Sequence, residues 1–176
     1  MQNSSSPYPT PTLKRRLICL VYEAFLVTAV AALGMLVFLL LAQKANATVI
    51  AYGRSVTLFV VVGAYFIHSW TGSGHTLAMK TWRIKLVMLG YARVPVPVAA
   101  LRYVLAWFWV LPALIISYRL HLSPGQTGIA LALGILAWGM TAFLDKDRQF
   151  LHDKLARTRL ISLPKPVKAV KGAAAP

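Results

Sequence analysis

Acidic side chains are nearly missing from this chain. Among 176 residues there are four Asp and Glu against nineteen Lys and Arg, a formal charge of +15. Glu23 is the only carboxylate in the first 144 residues. Charge of either sign is scarce too, at 13% of residues against 58% apolar, with a mean hydropathy of +0.64. A soluble domain carries about 25% charged residues, so a water-soluble class is excluded. Cysteine is almost absent. Cys19 stands alone, which excludes an internal disulfide, and it reads as a buried free thiol. No Ser-His-Asp or Cys-His arrangement, phosphate loop or dinucleotide loop is present. The four histidines, Cys19 and the acids show no metal-ligand spacing. No stacking platform for nucleic acid is visible. An enzyme, a cofactor, a metal and a nucleic-acid partner are therefore not expected.

What the chain does have is apolar runs of membrane length. Leu17–Ala42, Val49–Trp70, Ala99–Tyr118 and Pro124–Leu144 each approach the ~20 residues a bilayer core requires. The first run is too long for the core of a signal peptide, and no cleavage pattern follows it closely. Arg54, near the start of the second, can snorkel to the headgroups. Sixteen of the nineteen basic residues fall before the first run, between or at the edges of the second and third, or after the fourth. Only Lys44, Arg54 and Arg119 lie opposite. The positive-inside rule then places both termini and the middle loop in the cytoplasm. The expected fold is an all-α membrane domain of four transmembrane helices in two hairpins. Anionic phospholipid headgroups are the first partner such a basic face implies.

Between the second and third runs, Trp82-Arg83-Ile84-Lys85-Leu86 alternates apolar and basic residues, a strand period. Gly90 marks a turn, and Pro95 and Pro97 favour extended backbone from Val94 to Val98. Thr158–Ser162 alternates in the same way. These segments predict a small cytoplasmic β-hairpin or three-stranded sheet. Residues 1–12 read as a disordered lead, 13–163 as the membrane domain and 164–176 as a flexible basic tail. Asp145 and Asp147 are expected to cap a short helix from Arg148 to Leu155. The tryptophans read as interfacial anchors or packing. Ala24, Thr28 and Ala32 form a small-residue packing strip on the first span. No internal repeat is apparent.

Glu23 is the residue that demands an explanation. A charge at bilayer depth costs ~2.5–3.5 kcal/mol on insertion scales. Arg16 lies two helical turns earlier on the same face, about 10 Å along the axis. Two readings stay open: an Arg16–Glu23 ion pair that locks the first span, or a proton or cation site. Asp153 is expected to pair with Arg16, Arg83 or Arg102 and so fix the segment after the fourth span. His75 reads as a solvated loop histidine. His152, beside Asp153, reads as structural or as a group titrating near neutral pH.

Several of these residues together resemble the RDD family of bacterial membrane proteins. They are Arg16, the acid at position 23, Gly74-x-Thr76-Leu77, Arg102-Tyr103, and Gln149-x-x-His152-Asp153-Lys154-Leu155-Ala156-x-Thr158. The resemblance spans about residues 13–163. The family is named for one Arg and two Asp. The Arg is similar to Arg16 and the second Asp to Asp153, while Glu23 stands in place of the first Asp. Gly74-His75-Thr76 replaces the usual Gly-Gln-Thr. The resemblance implies a multi-pass protein of the bacterial inner membrane. It also implies transport of unidentified ligands, with cation/proton antiport in some members. Two functions follow as expectations. One is a structural or accessory membrane protein that binds anionic lipid or a partner protein. The other is a small transporter, necessarily a homo-oligomer, working through Glu23.

Overall fold

The computed structural model describes residues 8–144 and 149–164. Helix α1 (Leu13–Leu41) starts at Thr12, whose side chain accepts from the Arg15 amide. It turns through residues 42–46 into α2 (Ala47–Gly72), capped by Asn46. The two helices approach closely at Gly34, packed against Val61, and Gly53, packed against Phe38; a Cβ at either glycine would overlap its neighbour. The expected strip of Ala24, Thr28 and Ala32 is instead exposed, because α1 turns the Gly34 face toward α2.

The third span is a composite. Helix α4 (Val96–Ala106) passes through a 3₁₀ turn at Trp107–Trp109 into α5 (Leu111–Arg119). Pro112, in the first turn of α5, has no N–H for the Phe108 carbonyl four residues back, so the α-helical ladder cannot run through. Helix α6 (Pro124–Leu144) follows as a 21-residue helix. Three stretches, Leu13–Leu41, Ala47–Gly72 and Val96–Arg119, are long and apolar enough to cross a membrane. Large apolar side chains such as Phe25, Leu33, Val60, Ile115 and Leu133 face outward along these helices and α6. Against lipid they need no covering.

The tightest packing lies at the basic end. There α3 (Leu77–Thr81) leads to β1 (Ile84–Met88), and α7 (Leu151–Leu155) leads to β2 (Thr158–Ser162). The strands pair antiparallel, with Leu86 opposite Leu160. Ile84, Leu86 and Leu160 are buried together with Trp70, Val94, Ala99 and Tyr103. The sheet is therefore two-stranded, and it is not a local hairpin: its strands come from the loops after α2 and after α6. The third strand expected near Arg93 is not formed. Pro97 falls in the first turn of α4, where a missing N–H costs nothing, so Val96 onward begins a helix. The caps expected of Asp145 and Asp147, most of the basic tail and the first seven residues lie outside the described residues. Within the expected lead, Pro9 is ordered: its carbonyl accepts from the Ser162 amide at 2.8 Å.

Contrary to the expectation of no internal repeat, the structure shows one. Each unit is a five-residue helix, two turn residues and a five-residue strand. Leu77, Lys80, Arg83 and Leu86 recur at the same spacing as Leu151, Lys154, Arg157 and Leu160. Arg83 and Arg157 both adopt left-handed backbone, at φ 52° and 54°. The register is symmetric about the Leu86–Leu160 pair: Ile84 faces Ser162 as Met88 faces Thr158. A pseudo-two-fold axis passes between these leucines. The span sequences hide the relation because lipid-facing apolar residues interchange freely.

Candidate functional site

Two buried polar clusters sit at this end. The first surrounds Glu23, which is only 7% exposed. Tyr65, on α2, donates to its Oε1 at 2.7 Å, and Thr76 donates to its Oε2. Thr76 is also the N-cap of α3, where its hydroxyl accepts from the Met79 amide at 3.2 Å. One hydroxyl thus ties the carboxyl of α1 to the start of the first repeat unit. Gly74 holds the loop beside it at φ +78° and accepts from the Leu86 amide at 2.7 Å. Neighbouring His75 is half-buried; its carbonyl accepts from the Ser73 hydroxyl at 3.0 Å.

The expected Arg16–Glu23 ion pair is absent: among the described residues, the ion pairs involve only Asp153. Arg16 lies 4.6 Å over the Phe150 ring, turned toward the chain after α6. Two helical turns separate the residues along α1, and the hydroxyls of Tyr65 and Thr76 occupy both Glu23 oxygens. Tyr65 was not anticipated. The available signal was a phenol inside an apolar run, whose hydroxyl needs a partner once buried.

The second cluster surrounds Asp153, which is fully buried. Arg102, on α4, donates through Nε to Asp153 Oδ1 at 2.7 Å, and its Nη2 lies 2.7 Å from the same oxygen. The guanidinium carbon sits 4.2 Å over the Trp70 ring. Of the three arginines expected as candidates, Arg102 makes the pair. Thr158, at the head of β2, donates to the Asp153 carbonyl at 3.2 Å. His152 is stacked between Trp138 and Phe150, with its ring 10° from parallel to each. The Trp138 Nε1–H lies 3.2 Å from His152 Nδ1, and Arg102 Nη2 lies 3.3 Å from His152 Nε2, so two donor groups face the ring from either side. Burial, opposed by the Asp153 charge and reinforced by Arg102, pulls the His152 pKa down to about 4. The imidazole is neutral at pH 7, which corrects the expectation of titration near neutrality. Trp138 was anticipated only as an anchor or packing residue.

The clusters join across the pseudo-two-fold: Arg16 of the first half lies on Phe150 of the second, and Arg102 of the second lies on Trp70 of the first. Arg15 adds a clasp, donating to the Trp82 carbonyl and, at 2.6 Å, to the Ser162 hydroxyl. Among the described residues, no three His, Cys, Asp or Glu converge as a metal site. Residues 10–157 match the family model described as RDD family. No curated protein and no solved structure matches the chain. Arg16, Glu23, the Gly74–Thr76 loop, Arg102 and the His152-Asp153 segment thus assemble at one end of the long apolar helices of a multi-pass membrane protein, and the chain belongs to the RDD family.

Proposed function

We propose that this is an accessory protein of the bacterial inner membrane, with four spans and both termini cytoplasmic, whose basic face binds anionic phospholipid headgroups. One observation carries the reading. The two described acids at this end, Glu23 and Asp153, are buried and occupied by internal partners, whereas Lys14, Lys80, Arg93, Lys154 and Arg157 are exposed. The accessible charge of the described residues there is of one sign, and each such residue near an anionic surface contributes about 1 kcal/mol. The test is thermal unfolding in neutral micelles titrated with phosphatidylglycerol or phosphatidylcholine. Phosphatidylglycerol should raise Tm, and high salt should weaken the effect. Equal response to both lipids would refute the reading.

A second reading, a cation/proton transporter working as an oligomer through Glu23, is favoured by one specific feature. Among the described residues Glu23 has no ion-pair partner; its oxygens meet hydroxyls, which serve a protonated or a cation-bound carboxyl equally well. Proteoliposomes carrying wild type or Glu23→Gln test it with a panel of monovalent cations and a pH dye. A pH-linked flux abolished by Glu23→Gln supports transport, and no wild-type flux with any cation removes it.

A further inference from the structure

We propose that the cavity between the end of α2 and β1 is a specific binding site for a phosphate group, in the first instance that of an anionic phospholipid. The inference deepens the lipid-binding reading above and rests on it. The cavity measures about 250 Å³ and is lined by Trp70, Gly74, Lys85, Tyr91 and Arg93 among others. It opens where α2 ends at Gly72 and α4 begins at Val96, both ends of membrane-length helices, so it lies at headgroup level. Leu89, Tyr91 and Val96 project beside it, each about half exposed or more.

Three independent observations converge on an anion. First, Lys85 and Arg93 bring two cations to one cavity, and neither meets an acid among the described residues. Lys85 is aimed by Gly74: its stem crosses the glycine so closely that a Cβ there would lie 2.9 Å from Lys85 Cε. Second, Trp70 is 4% exposed, yet its indole Nε1–H is buried with no hydrogen-bond partner. A buried donor left unsatisfied costs about 1–3 kcal/mol, so such donors are rare without a ligand or water. Third, the pseudo-two-fold supplies a comparison. The counterpart of Lys85 is Arg159, and there the chain fills its own groove. Arg159 donates to the Thr10 hydroxyl, Gln149 donates to the same oxygen at 3.1 Å, and the Ser162 amide binds Pro9. On the Lys85 side the equivalent edge is left as a cavity holding cations and a donor. A phosphate group in the cavity meets Lys85 and Arg93, which can engage it bidentately, beside the unpartnered Trp70 N–H.

The test uses the full-length protein purified in neutral detergent. Native mass spectrometry counts retained phosphatidylglycerol, and phosphorus NMR follows binding of inorganic phosphate in lipid-free micelles. Lys85→Gln/Arg93→Gln should weaken binding about thirtyfold. Trp70→Phe keeps the ring under Arg102 and removes only the N–H, and should weaken it about tenfold. Lys154→Gln/Arg157→Gln, which removes two exposed cations of the same face outside the cavity, should leave inorganic phosphate binding unchanged, while its lipid retention falls by the general attraction of the basic face. Matching Tm values verify the fold, and Arg93→Gln alone carries the test should the double variant misfold. Phosphate binding lost only in the cavity variants, with retained lipid lost alongside it, establishes a headgroup site. Phosphate binding lost in those variants, with no lipid retained, assigns the cavity to a soluble phosphate compound and removes the lipid reading alone. Equal losses of phosphate binding in the cavity and Lys154/Arg157 variants overturn the site while leaving a basic lipid-binding face. Unchanged binding in every cavity variant overturns it outright.

Discussion

Arg16 and Glu23 lie on one helix face, yet the structure gives them separate partners. A carboxyl in low dielectric needs contacts within hydrogen-bond range, and Tyr65 and Thr76 supply them while Arg16 reaches Phe150. Tyr65→Phe should therefore lower stability by about 1–3 kcal/mol through the lost hydrogen bond to a buried acid. Unfolding in detergent, followed by circular dichroism, measures it. A double-mutant cycle of Arg16→Ala and Glu23→Ala should add to within about 0.5 kcal/mol, as for residues without a shared partner. Coupling above about 1 kcal/mol would restore the direct ion pair. His152 predicts a pH dependence with a definite sign. Its folded pKa, about 4, lies below the ordinary value near 6.5, so between these limits the unfolded chain binds the extra proton. Stability then rises with pH across that window, by up to about 3 kcal/mol from this residue. His152→Phe should flatten the profile between pH 4 and 6.5; an equally steep profile in that variant would assign the dependence elsewhere.

At the scale of elements, Arg102 and Asp153 fasten α7 to α4. Removing one partner of a buried pair strands the other charge, at about 3–5 kcal/mol. Asp153→Ala and Arg102→Ala should each unfold the α7–β2 unit. Limited proteolysis near Arg157 would detect it, and wild-type resistance in both variants would show that the sheet holds without the pair. Gly74 is decided by backbone rather than charge. At φ +78°, with the Leu86 carbonyl 2.8 Å from where a Cβ would sit, it leaves no room for alanine. Gly74→Ala should therefore destabilise the loop beyond the ~1 kcal/mol usual for a left-handed site. Gly72→Ala, with nothing within 4 Å, should be benign by the same unfolding assay.

On the scale of the whole molecule, the basic end is the organising centre: both strands, both buried clusters and the open cavity meet there. The four-span arrangement proposed above would place residue 47 and residue 144 on opposite sides of the membrane. Reporter fusions at Ala47 and after Leu144 should give opposite readouts, and identical readouts would remove the four-span arrangement.

Membrane class, helix positions and the basic side were legible in the chain alone, because the bilayer acts on composition and length, which are local properties. Strand character at 84–88 and 158–162 was legible from alternation, and Asp153 was expected to meet an arginine because so few acids face so many bases. What only the tertiary structure decided were the pairings across long separations. Leu86 meets Leu160, Glu23 meets Tyr65, Trp138 meets His152, and Thr10 fills one groove while its counterpart stays open. Each depends on which faces of distant elements meet. Apolar periodicity does not encode that where lipid accepts any face, so it is settled by close packing at glycines and by the need of every buried polar group for a partner.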